Sequence, residues 1–256
     1  MAKQGTAQRR KKLAEILVSE GTARVGRLAE RLGVSTETIR KDLIFLESEG
    51  IVKKAHGGAT ASGGFVERPF RQKSQQNTAE KIAIAKTAVT MIPENGAVIL
   101  DSGSTTYEIA KLLTLRGDLT IFTNSIPIMQ LLSSSHNRVF IFGGEMRASS
   151  LAIVGGWTVD ALRLVEADIA FLGTDGFAGR EGPCSASFEE VEVKRAMMRS
   201  SKCNVLVCDH SKFTRSDMFL YSDFSGIDCM ITDKNIPAGE MKKLANKTEI
   251  RIAEGE

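Results

Sequence analysis

Hydroxyl side chains and a glycine stand together between an apolar run, AVIL, and a helical pattern, TTYEIAKLL. The segment comprises Asp101, Ser102, Gly103, Ser104, Thr105 and Thr106. At a helix N-terminus, free backbone N–H groups and the positive end of the helix dipole point to one position, which suits a phosphate or a carboxylate. The segment lacks the lysine of a P-loop, which disfavours a nucleoside triphosphate. Ser and Thr also cap helices, so a purely structural role stays open.

A second polar cluster lies in a helical pattern nearer the N-terminus. Its members are Ser35, Thr36, Thr38, Arg40 and Lys41. Apolar residues at 39, 43 and 46 predict one buried stripe, so we expect Ser35 to cap the helix and the other four to face solvent. All five are candidate DNA-binding residues. In a major groove, Arg and Lys donate to guanine edges or phosphates, and Thr contacts phosphate or a thymine methyl. A solvated helix face is the alternative, and Asp42, which would repel phosphate, is expected to form an ion pair.

Further basic residues flank this cluster, and we expect them to contact phosphates or the minor groove, which adds affinity more than specificity. They are Arg9, Arg10, Lys11 and Lys12 in the first helical pattern and Lys53, Lys54 and His56 in a predicted wing. Residues 1–60 hold twelve Lys and Arg against seven Asp and Glu, whereas the remainder holds 22 against 24. The net charge of +3 therefore conceals a basic N-terminal segment, which is typical of a polyanion-binding module. Solvated charges alone would give the same count.

The composition limits the class of protein. A chain of 256 residues with 42% hydrophobic and 25% charged residues can bury one large core, or a large and a small one. No stretch reaches the roughly 18 apolar residues of a spanning helix, and the first residues lack the apolar part of a secretion signal. We therefore expect a cytoplasmic protein without a membrane partner. Its four cysteines form no CxxC pair, and only three histidines could join them, which disfavours zinc. We expect neither a metal nor a cofactor.

The basic cluster must be positioned by a small helical domain. Helical patterns over 8–20, 25–33 and from Ser35 to about residue 50, with a turn at Gly33, predict a helix-turn-helix spanning about Ala23 to Asp42. Extended runs around Gly57 and Gly58 predict a β-hairpin, because paired glycines permit positive φ angles in a tight turn. We thus expect a winged helix-turn-helix domain over 1–59 and a linker over 60–76, which is rich in Ser, Gly, Gln and Arg.

The hydroxyl-rich segment must be positioned by a larger domain over residues 77–256. Helical patterns alternate there with apolar runs, including AVILD, LTIFTN, RVFIFGG, ADIAFLG, CNVLVCD and DCMITD. Alternating strands and helices predict right-handed crossovers and a mostly parallel sheet that is covered on both faces. The fold class is therefore α/β, with an N-terminal winged helix-turn-helix and a larger C-terminal α/β domain. In such a sheet, ligands bind at the carboxyl edge, where the hydroxyl-rich segment falls.

The segment GVSTETIRKDLIFLESEGIVKKAHGGA resembles the N-terminal winged helix-turn-helix of the DeoR family of bacterial sugar-metabolism repressors. The resemblance implies that the C-terminal domain is similar to the ribose-5-phosphate isomerase and CoA-transferase group, with residues 101–106 as its sugar-phosphate loop. Further family-like elements follow predicted strands or begin a helix. They are Thr123-Asn124-Ser125, Gly143-Gly144, Gly173-Thr174-Asp175-Gly176, Glu189 and Asp209-His210-Ser211-Lys212-Phe213.

The resemblance also implies roles for these residues. We expect residues 102–106 to hold a phosphate, and Asp101, Asp175 and Glu189 to accept hydrogen bonds from sugar hydroxyls. Asn124 is expected to shape the pocket, and Lys212 or Arg147 to supply positive charge. The effector-binding set that follows is Asp101, Ser102, Gly103, Ser104, Thr105, Thr106, Thr123, Asn124, Ser125, Gly143, Gly144, Arg147, Asp175, Gly176, Glu189 and Lys212.

The function implied is repression of a carbohydrate-use operon, relieved by a phosphorylated sugar. The segments VILDSGSTT, FTNS and FLGTDG resemble members that regulate hexitol or amino-sugar uptake. The expected partners are double-stranded operator DNA, the sugar phosphate and a second copy of the chain, in a homodimer or homotetramer. A sugar-phosphate isomerase-like enzyme with a DNA-binding appendage is the alternative, since the carboxylates and Lys212 could supply acid and base groups. A DNA-binding module with an inert oligomerisation domain is a third possibility. We expect no enzyme, because catalysis gives the helix-turn-helix no role.

Overall fold

A computed structural model of the protein describes residues 6–20, 22–48, 52–55, 58–61, 68–237 and 239–254. The chain divides into two compact units, with the boundary between Arg68 and Pro69. Within the described ranges, no helix is both long and apolar enough to cross a membrane.

The N-terminal unit combines three helices with a small antiparallel sheet. In chain order its elements are α1 (Thr6–Glu20), β1 (Thr22–Arg24), α2 (Val25–Leu32), α3 (Thr36–Ser48), β2 (Val52–Ala55) and β3 (Gly58–Ala61). The three strands pair antiparallel in the order β1-β3-β2. Leu13 and Leu17 of α1, Leu28 of α2, and Ile39 and Leu43 of α3 close one apolar core. The predicted helix-turn-helix and hairpin are both present.

Gly58 has a role in this sheet that the sequence analysis did not predict. It was expected to serve a tight turn, but it lies in β3 opposite Arg24 of β1. A Cβ atom at this position would lie 2.3 Å from the carbonyl oxygen of Ala23. The close approach of β1, a strand that the sequence analysis missed, therefore requires a residue without a side chain.

The C-terminal unit is built around a parallel sheet. Its helices are α4 (Phe70–Ser74), α5 (Thr78–Val89), α6 (Ser104–Leu113), α7 (Ile126–Leu132), α8 (Gly156–Leu162), α9 (Phe188–Arg199) and α10 (Glu240–Leu244), with short 3-10 helices at His210–Thr214 and Phe224–Gly226. Its strands are β4 (Ala97–Leu100), β5 (Thr120–Thr123), β6 (Arg138–Ile141), β7 (Glu145–Arg147), β8 (Ala152–Val154), β9 (Ile169–Leu172), β10 (Cys184–Ser185), β11 (Asn204–Val207), β12 (Phe219–Leu220), β13 (Cys229–Asp233) and β14 (Glu249–Ala253). These elements confirm the α/β prediction.

Seven strands pair in the order β14-β13-β11-β9-β4-β5-β6, and every pairing is parallel. The strand order reverses beside β4, because β5 and β6 lie on one side of it and β9 begins the other half. The central strands are buried on both faces: Val98 and Leu100 pack into one apolar cluster, and Ile99 between them packs into another. Two antiparallel ribbons, β7 with β8 and β10 with β12, supplement the sheet.

The structure differs from the predicted linker over 60–76. Residues up to Ala61 belong to β3 of the N-terminal unit, and Phe70–Ser74 form α4 of the C-terminal unit. Phe70 is buried, its ring meets Tyr107 edge to face with a centroid distance of 5.6 Å, and its N–H donates to Ser149 O at 2.8 Å. Aromatic packing and this hydrogen bond hold α4 in place. A helix of only five residues is too short to show a helical spacing of apolar residues, so the sequence did not predict it.

Candidate functional site

Helix α3 of the N-terminal unit starts at a capped turn. Gly33 ends α2 with φ 65°, a left-handed conformation that a glycine adopts without strain. The Ser35 hydroxyl oxygen accepts a hydrogen bond from the Thr38 N–H at 3.1 Å, and the two hydroxyl oxygens lie 2.8 Å apart. Ser35 and Thr38, both predicted to contact DNA, therefore also define the start of the helix.

One face of α3 is open to solvent. Thr36 and Lys41 are exposed, and the side chain of Arg40 is 63% exposed. The Arg40 guanidinium lies 3.6 Å from the Glu37 carboxylate one turn earlier, a surface pair that contributes little stability and is easily exchanged for another anion. The predicted DNA-binding residues of α3 thus point away from the core, with their hydrogen-bonding groups accessible.

Arg9 and Arg10 are positioned differently from the prediction. Their Nε atoms donate to the two oxygens of Asp42, at 2.6 Å and 2.9 Å, and Asp42 is only 2% exposed. Burial alone would raise the pKa of Asp42, but the hydrogen bonds from the two arginines outweigh it and hold the pKa below its ordinary value. These guanidinium groups join α1 to α3, and the DNA contacts expected of them stay a prediction. Asp42 has the ion-pairing role that the sequence analysis assigned to it.

The predicted wing residues can be located only in part. Lys53 and Lys54 lie in β2, and their side chains lie outside the described part of the structure. His56 lies outside the described residues altogether. The antiparallel pairing of Ala55 with Gly58 establishes the hairpin that carries them.

In the C-terminal unit, a cleft opens at the point where the strand order reverses. Its volume is about 450 Å³, which includes its open mouth. The lining residues are Lys73, Asp101, Ser102, Gly103, Ser104, Thr105, Ser150, Gly173, Thr174, Asp175, Glu190, Lys194, Val207 and Lys212. The loops after β4 and β9 and the first turn of α6 supply eight of these fourteen residues. The two loops diverge because the chain leaves the two neighbouring strands in opposite directions. Such a switch point is where open α/β sheets bind ligands.

One end of the cleft is the N-terminus of α6. Gly103 occupies the N-cap position, and no side chain accepts a hydrogen bond from the first turn. The first N–H groups of the helix, including those of Ser104 and Thr105, therefore have no intrahelical partner. The Thr106 hydroxyl group is buried and bonds to Asp101 O at 2.6 Å and Gly103 O at 2.7 Å, which fixes the loop. Thr106 therefore stabilises the loop that forms the site but does not line the cleft.

Two further groups face the same cleft without a partner. The Ser150 hydroxyl oxygen is buried and forms no hydrogen bond with any residue that the structure describes, although Ser150 lines the cleft. Within the described residues, the Lys212 ammonium also forms no hydrogen bond or ion pair. Burial lowers the pKa of Lys212, and the charge of Lys73 acts in the same direction, while Asp175 opposes both. A buried hydroxyl group without a partner is costly unless a ligand satisfies it, and the half-buried Lys212 ammonium in the same cleft can supply the charge that an anion needs.

Asp101 belongs to a buried ion pair at the base of the cleft. Its Oδ2 atom accepts hydrogen bonds from the Lys194 ammonium and, at 2.9 Å, from the Gly173 N–H. The side chains of Asp101 and Lys194 are 2% and 6% exposed. This pair connects the loops after β4 and β9 to α9, so the predicted hydroxyl acceptor is already engaged.

Asp175 is held by the first helix of the unit. Lys73 of α4 lies 3.2 Å from its Oδ1 atom, and the Ala186 N–H donates to Oδ2 at 3.2 Å. Burial alone would raise the pKa of Asp175, but the charges of Lys73, Lys212 and Lys194 hold it well below its ordinary value. The cleft thus contains an ionised carboxylate between ammonium groups.

The structure brings Glu190, and not the predicted Glu189, to the cleft. Helix α9 begins after Ser187, and Glu189 is an exposed residue whose carboxylate bonds to the Ser187 hydroxyl group. Glu190 faces the sheet and is 5% exposed. Its two oxygens meet Arg147 at 2.6 Å and the Ser185 hydroxyl at 3.1 Å. Arg147 does not line the cleft. It affects the site indirectly, because it orients the Glu190 carboxylate.

The predicted residues after β5 lie beside the cleft and support it. The Thr123 hydroxyl group donates to Leu100 O at 2.8 Å, and Asn124 Nδ2 donates to Ile153 O at 2.9 Å. Ser125 caps α7. The Oδ1 atom of Asn124 is buried without a hydrogen-bond partner among the described residues. These side chains hold the β7–β8 ribbon and the neighbouring strand in position.

Two of the three predicted glycines outside the cleft are sites of close backbone contact. Gly144 has φ 154°, and a Cβ atom there would lie 2.4 Å from Val154 O. Gly176 has φ 148°, and a Cβ atom would lie 2.3 Å from Arg215 O. The carbonyl of Gly143 accepts a hydrogen bond from α8. All three positions shape the ribbon and loops around the cleft and do not line it.

The sequence analysis missed Lys73, Ser150, Glu190 and Lys194. A signal existed for Lys194, since this charged residue lies on the buried stripe of α9 with Val191 and Met197. No local signal could reveal Lys73, because its partner is 102 residues away in the chain. Together the cleft residues can bind a small anion with hydroxyl groups: amide N–H groups and lysines suit a phosphate, and carboxylates suit hydroxyls.

A helix-turn-helix unit with a hairpin wing, followed by an α/β unit with a polar cleft, defines the class of effector-controlled transcriptional regulators. A family model described as "DeoR-like helix-turn-helix domain" matches residues 9–62, and another described as "DeoR C terminal sensor domain" matches residues 76–234. The chain belongs to the DeoR family of transcriptional regulators.

Two relatives span most of the chain. The "Putative aga operon transcriptional repressor" of Escherichia coli O157:H7 is 36% identical over 94% of this chain and 91% of its own length. The "Glycerol-3-phosphate regulon repressor" of Escherichia coli strain K12 is 30% identical over 93% of this chain and 95% of its own length. Among solved structures, ribose 5-phosphate isomerase A from Methanocaldococcus jannaschii aligns over 54% of this chain and 55% of its own, with 17% identity and a TM-score of 0.41.

Proposed function

We propose that this DeoR-family regulator represses a carbohydrate-use operon of the hexitol or amino-sugar type and is released from DNA by a phosphorylated sugar. The names of the two relatives, which refer to the aga operon and to the glycerol-3-phosphate regulon, support this assignment. The effector part rests on three features that meet in one cleft: a helix N-terminus, Lys212, and the Ser150 hydroxyl group, which has no hydrogen-bond partner among the described residues.

The phosphate is assigned to the α6 end of the cleft. It accepts hydrogen bonds from the N–H groups and hydroxyls of Ser104 and Thr105, and Lys212 supplies the counter-charge. The Ser150 hydroxyl finds its missing acceptor there.

The sugar hydroxyls are assigned to Asp175 and Glu190. Both carboxylates line the cleft, and each is held by a cation, Lys73 or Arg147, which fixes its orientation. Asp101 is a positioning residue here, since Lys194 and the Gly173 N–H already occupy its inner oxygen.

The DNA is assigned to the exposed face of α3. Thr36, Arg40 and Lys41 enter the major groove, and the wing residues approach the adjacent backbone. Reading two neighbouring half-sites requires two copies of α3, so we propose a homodimer or homotetramer. A regulator with this partner acts in the cytoplasm, and the effector releases it by favouring a state with lower operator affinity.

The proposal includes no catalytic step. An isomerase needs a carboxylate that is free to take a proton beside the carbonyl group. The cleft carboxylates of Asp101, Asp175 and Glu190 are each engaged by a cation. Incubation with ribose 5-phosphate is expected to yield no ketose, and measurable turnover would favour the isomerase alternative.

A thermal-shift screen over hexose, hexitol and amino-sugar phosphates tests the effector site. A ligand at 100 times its Kd adds about 2.7 kcal/mol, which raises the Tm of a unit of this size by about 5–11 °C. We expect Thr105→Ala and Lys212→Met to abolish this shift while DNA binding persists. Lys242→Met, at an exposed position of α10 that does not line the cleft, is the matched control and is expected to retain the shift.

Two results would contradict the effector assignment. One is the absence of any shift over the whole panel for the wild-type protein. The other is an equal shift in the wild-type protein and in both cleft variants.

A further inference from the structure

The exposed face of α3 carries one large apolar side chain that neither the fold nor the proposed polar contacts require. Ile44 is 52% exposed and takes no part in the apolar core of the N-terminal unit, which uses Ile39, Leu43 and Leu46 from this helix. Phe45 is also partly exposed, but the Arg10 guanidinium covers its ring at 3.8 Å. A half-exposed isoleucine with no such cover is unfavourable in water, where its apolar surface gains nothing from folding.

Ile44 lies on the face of α3 that is proposed to approach DNA. With 3.6 residues per turn, Glu37, Arg40 and Lys41 lie on the same side of α3 as Ile44. These four positions have the spacing i, i+3, i+4 and i+7, which is the set that a helix lying in a major groove uses to contact base edges. The 1.5 Å rise per residue places Ile44 about 10 Å along the axis from Glu37, so the four residues extend over about two turns of the helix.

The flanking charges identify the occupant of this face. Arg40 and Lys41 lie next to Ile44 and are exposed, so the face is complementary to a polyanion and not to an apolar protein surface. In the major groove, one group is apolar and distinguishes its base from the other three, namely the 5-methyl group of thymine. We infer that Ile44 packs against a thymine methyl group and so specifies thymine at one position of each half-site. This inference rests on the proposed DNA-binding role of α3.

The test removes the methyl group from the DNA and the side chain from the protein. The probe is the duplex that full-length wild-type protein enriches from a randomised DNA pool. In a series of duplexes, each thymine in turn is replaced by deoxyuridine, which lacks only that methyl group. Kd is measured by fluorescence anisotropy for the wild type, Ile44→Ala and Ile82→Ala, because Ile82 is a partly exposed isoleucine on α5 of the other unit.

We expect wild-type protein and Ile82→Ala to bind about fourfold more weakly when one particular thymine of a half-site is replaced, which corresponds to the transfer of one methyl group. Ile44→Ala is expected to bind the parent duplex more weakly and to lose all sensitivity at that position. Its folding is expected to be unaffected, because alanine favours an exposed helical position. A pool enriched with Ile44→Ala should show no preference for thymine there.

The inference is overturned if no thymine replacement weakens wild-type binding, or if Ile44→Ala keeps the same sensitivity as the wild type. It is also overturned if Ile44→Ala changes the sedimentation coefficient of the free protein, since the side chain would then contact a second copy. Arg40→Ala separates this outcome from a failure of the DNA-binding proposal. If Arg40→Ala loses DNA binding while wild-type binding is insensitive to every thymine replacement, only the role of Ile44 is refuted. If Arg40→Ala binds DNA as the wild type does, the role of α3 is refuted.

Discussion

Lys194→Met is expected to destabilise the C-terminal unit strongly, because it leaves Asp101 buried without its cation. The two side chains are 6% and 2% exposed. Breaking a buried ion pair by removing one partner costs about 3–5 kcal/mol. The Gly173 N–H still donates to Asp101 at 2.9 Å, which puts the expected loss near the lower end, about 3 kcal/mol. For a unit of this size, such a loss lowers the Tm by about 6–12 °C.

The assay is calorimetry together with urea unfolding on four proteins: wild type, Lys194→Met, Asp101→Asn and the double variant. Asp101→Asn removes the stranded charge, so the double variant should recover part of the stability and give a coupling energy of about 2 kcal/mol. Lys202→Met is the matched control, because Lys202 pairs with Asp168 at 3.1 Å but is 61% exposed. We expect that control to change the free energy of unfolding by less than about 1 kcal/mol.

Two results would refute the assigned positioning role of Asp101. The first is a free energy of unfolding for Lys194→Met within about 1 kcal/mol of the wild type. The second is strict additivity of the two single substitutions, which would show that the side chains do not interact.

Further consequences of the structure can be measured in the same way. Gly58→Ala should destabilise the N-terminal unit by about 1–3 kcal/mol and weaken DNA binding, because its Cβ atom would lie 2.3 Å from Ala23 O. Gly26→Ala, in α2 with no neighbouring atom within 4 Å of its Cβ position, should be neutral or stabilising, and equal losses in both variants would contradict this reasoning. Burial lowers the pKa of Lys81 to about 8, so the unfolded state binds more protons between that pH and about 10.4, and stability rises with pH there. From pH 7.5 to 9.5, the free energy of unfolding of the wild type should rise by about 2 kcal/mol relative to Lys81→Met, and parallel curves would show that the lysine is not buried as described.

The spacing of apolar residues and the position of turn-forming residues in the sequence predicted most of the helices and strands. The helix-turn-helix was predicted from the apolar spacing in α1 and α3 and from the turn at Gly33. The parallel sheet was predicted from the alternation of apolar runs with helical patterns. The ribbon β7–β8 was missed because Glu145 and Met146 are exposed and leave no apolar run. Helix α8 was missed for the same reason, since its Trp157 is 81% exposed.

The candidate site was predictable where a single loop holds it. Residues 101–105 form one continuous segment, the loop after β4 and the start of α6, and the sequence predicted its position at the carboxyl edge of the sheet. Contacts between distant segments were not predictable, as the pairing of Lys73 with Asp175 shows. The exchange of Glu189 for Glu190 has a different cause: the start of α9 determines which of two adjacent carboxylates faces the sheet, and helix boundaries are uncertain by a residue or more from sequence.

The central claim is that a sugar phosphate in the α6 cleft lowers the affinity of α3 for DNA. The most direct measurement is the Kd for a duplex enriched from a randomised pool, with and without the sugar phosphate that gives the largest thermal shift. We predict that the sugar phosphate raises the Kd of the wild-type protein at least fivefold, the lower end of typical allosteric coupling, and leaves the Kd of Thr105→Ala unchanged. An unchanged Kd for a wild-type protein that binds the sugar phosphate, or an equal rise in Thr105→Ala, would contradict the claim.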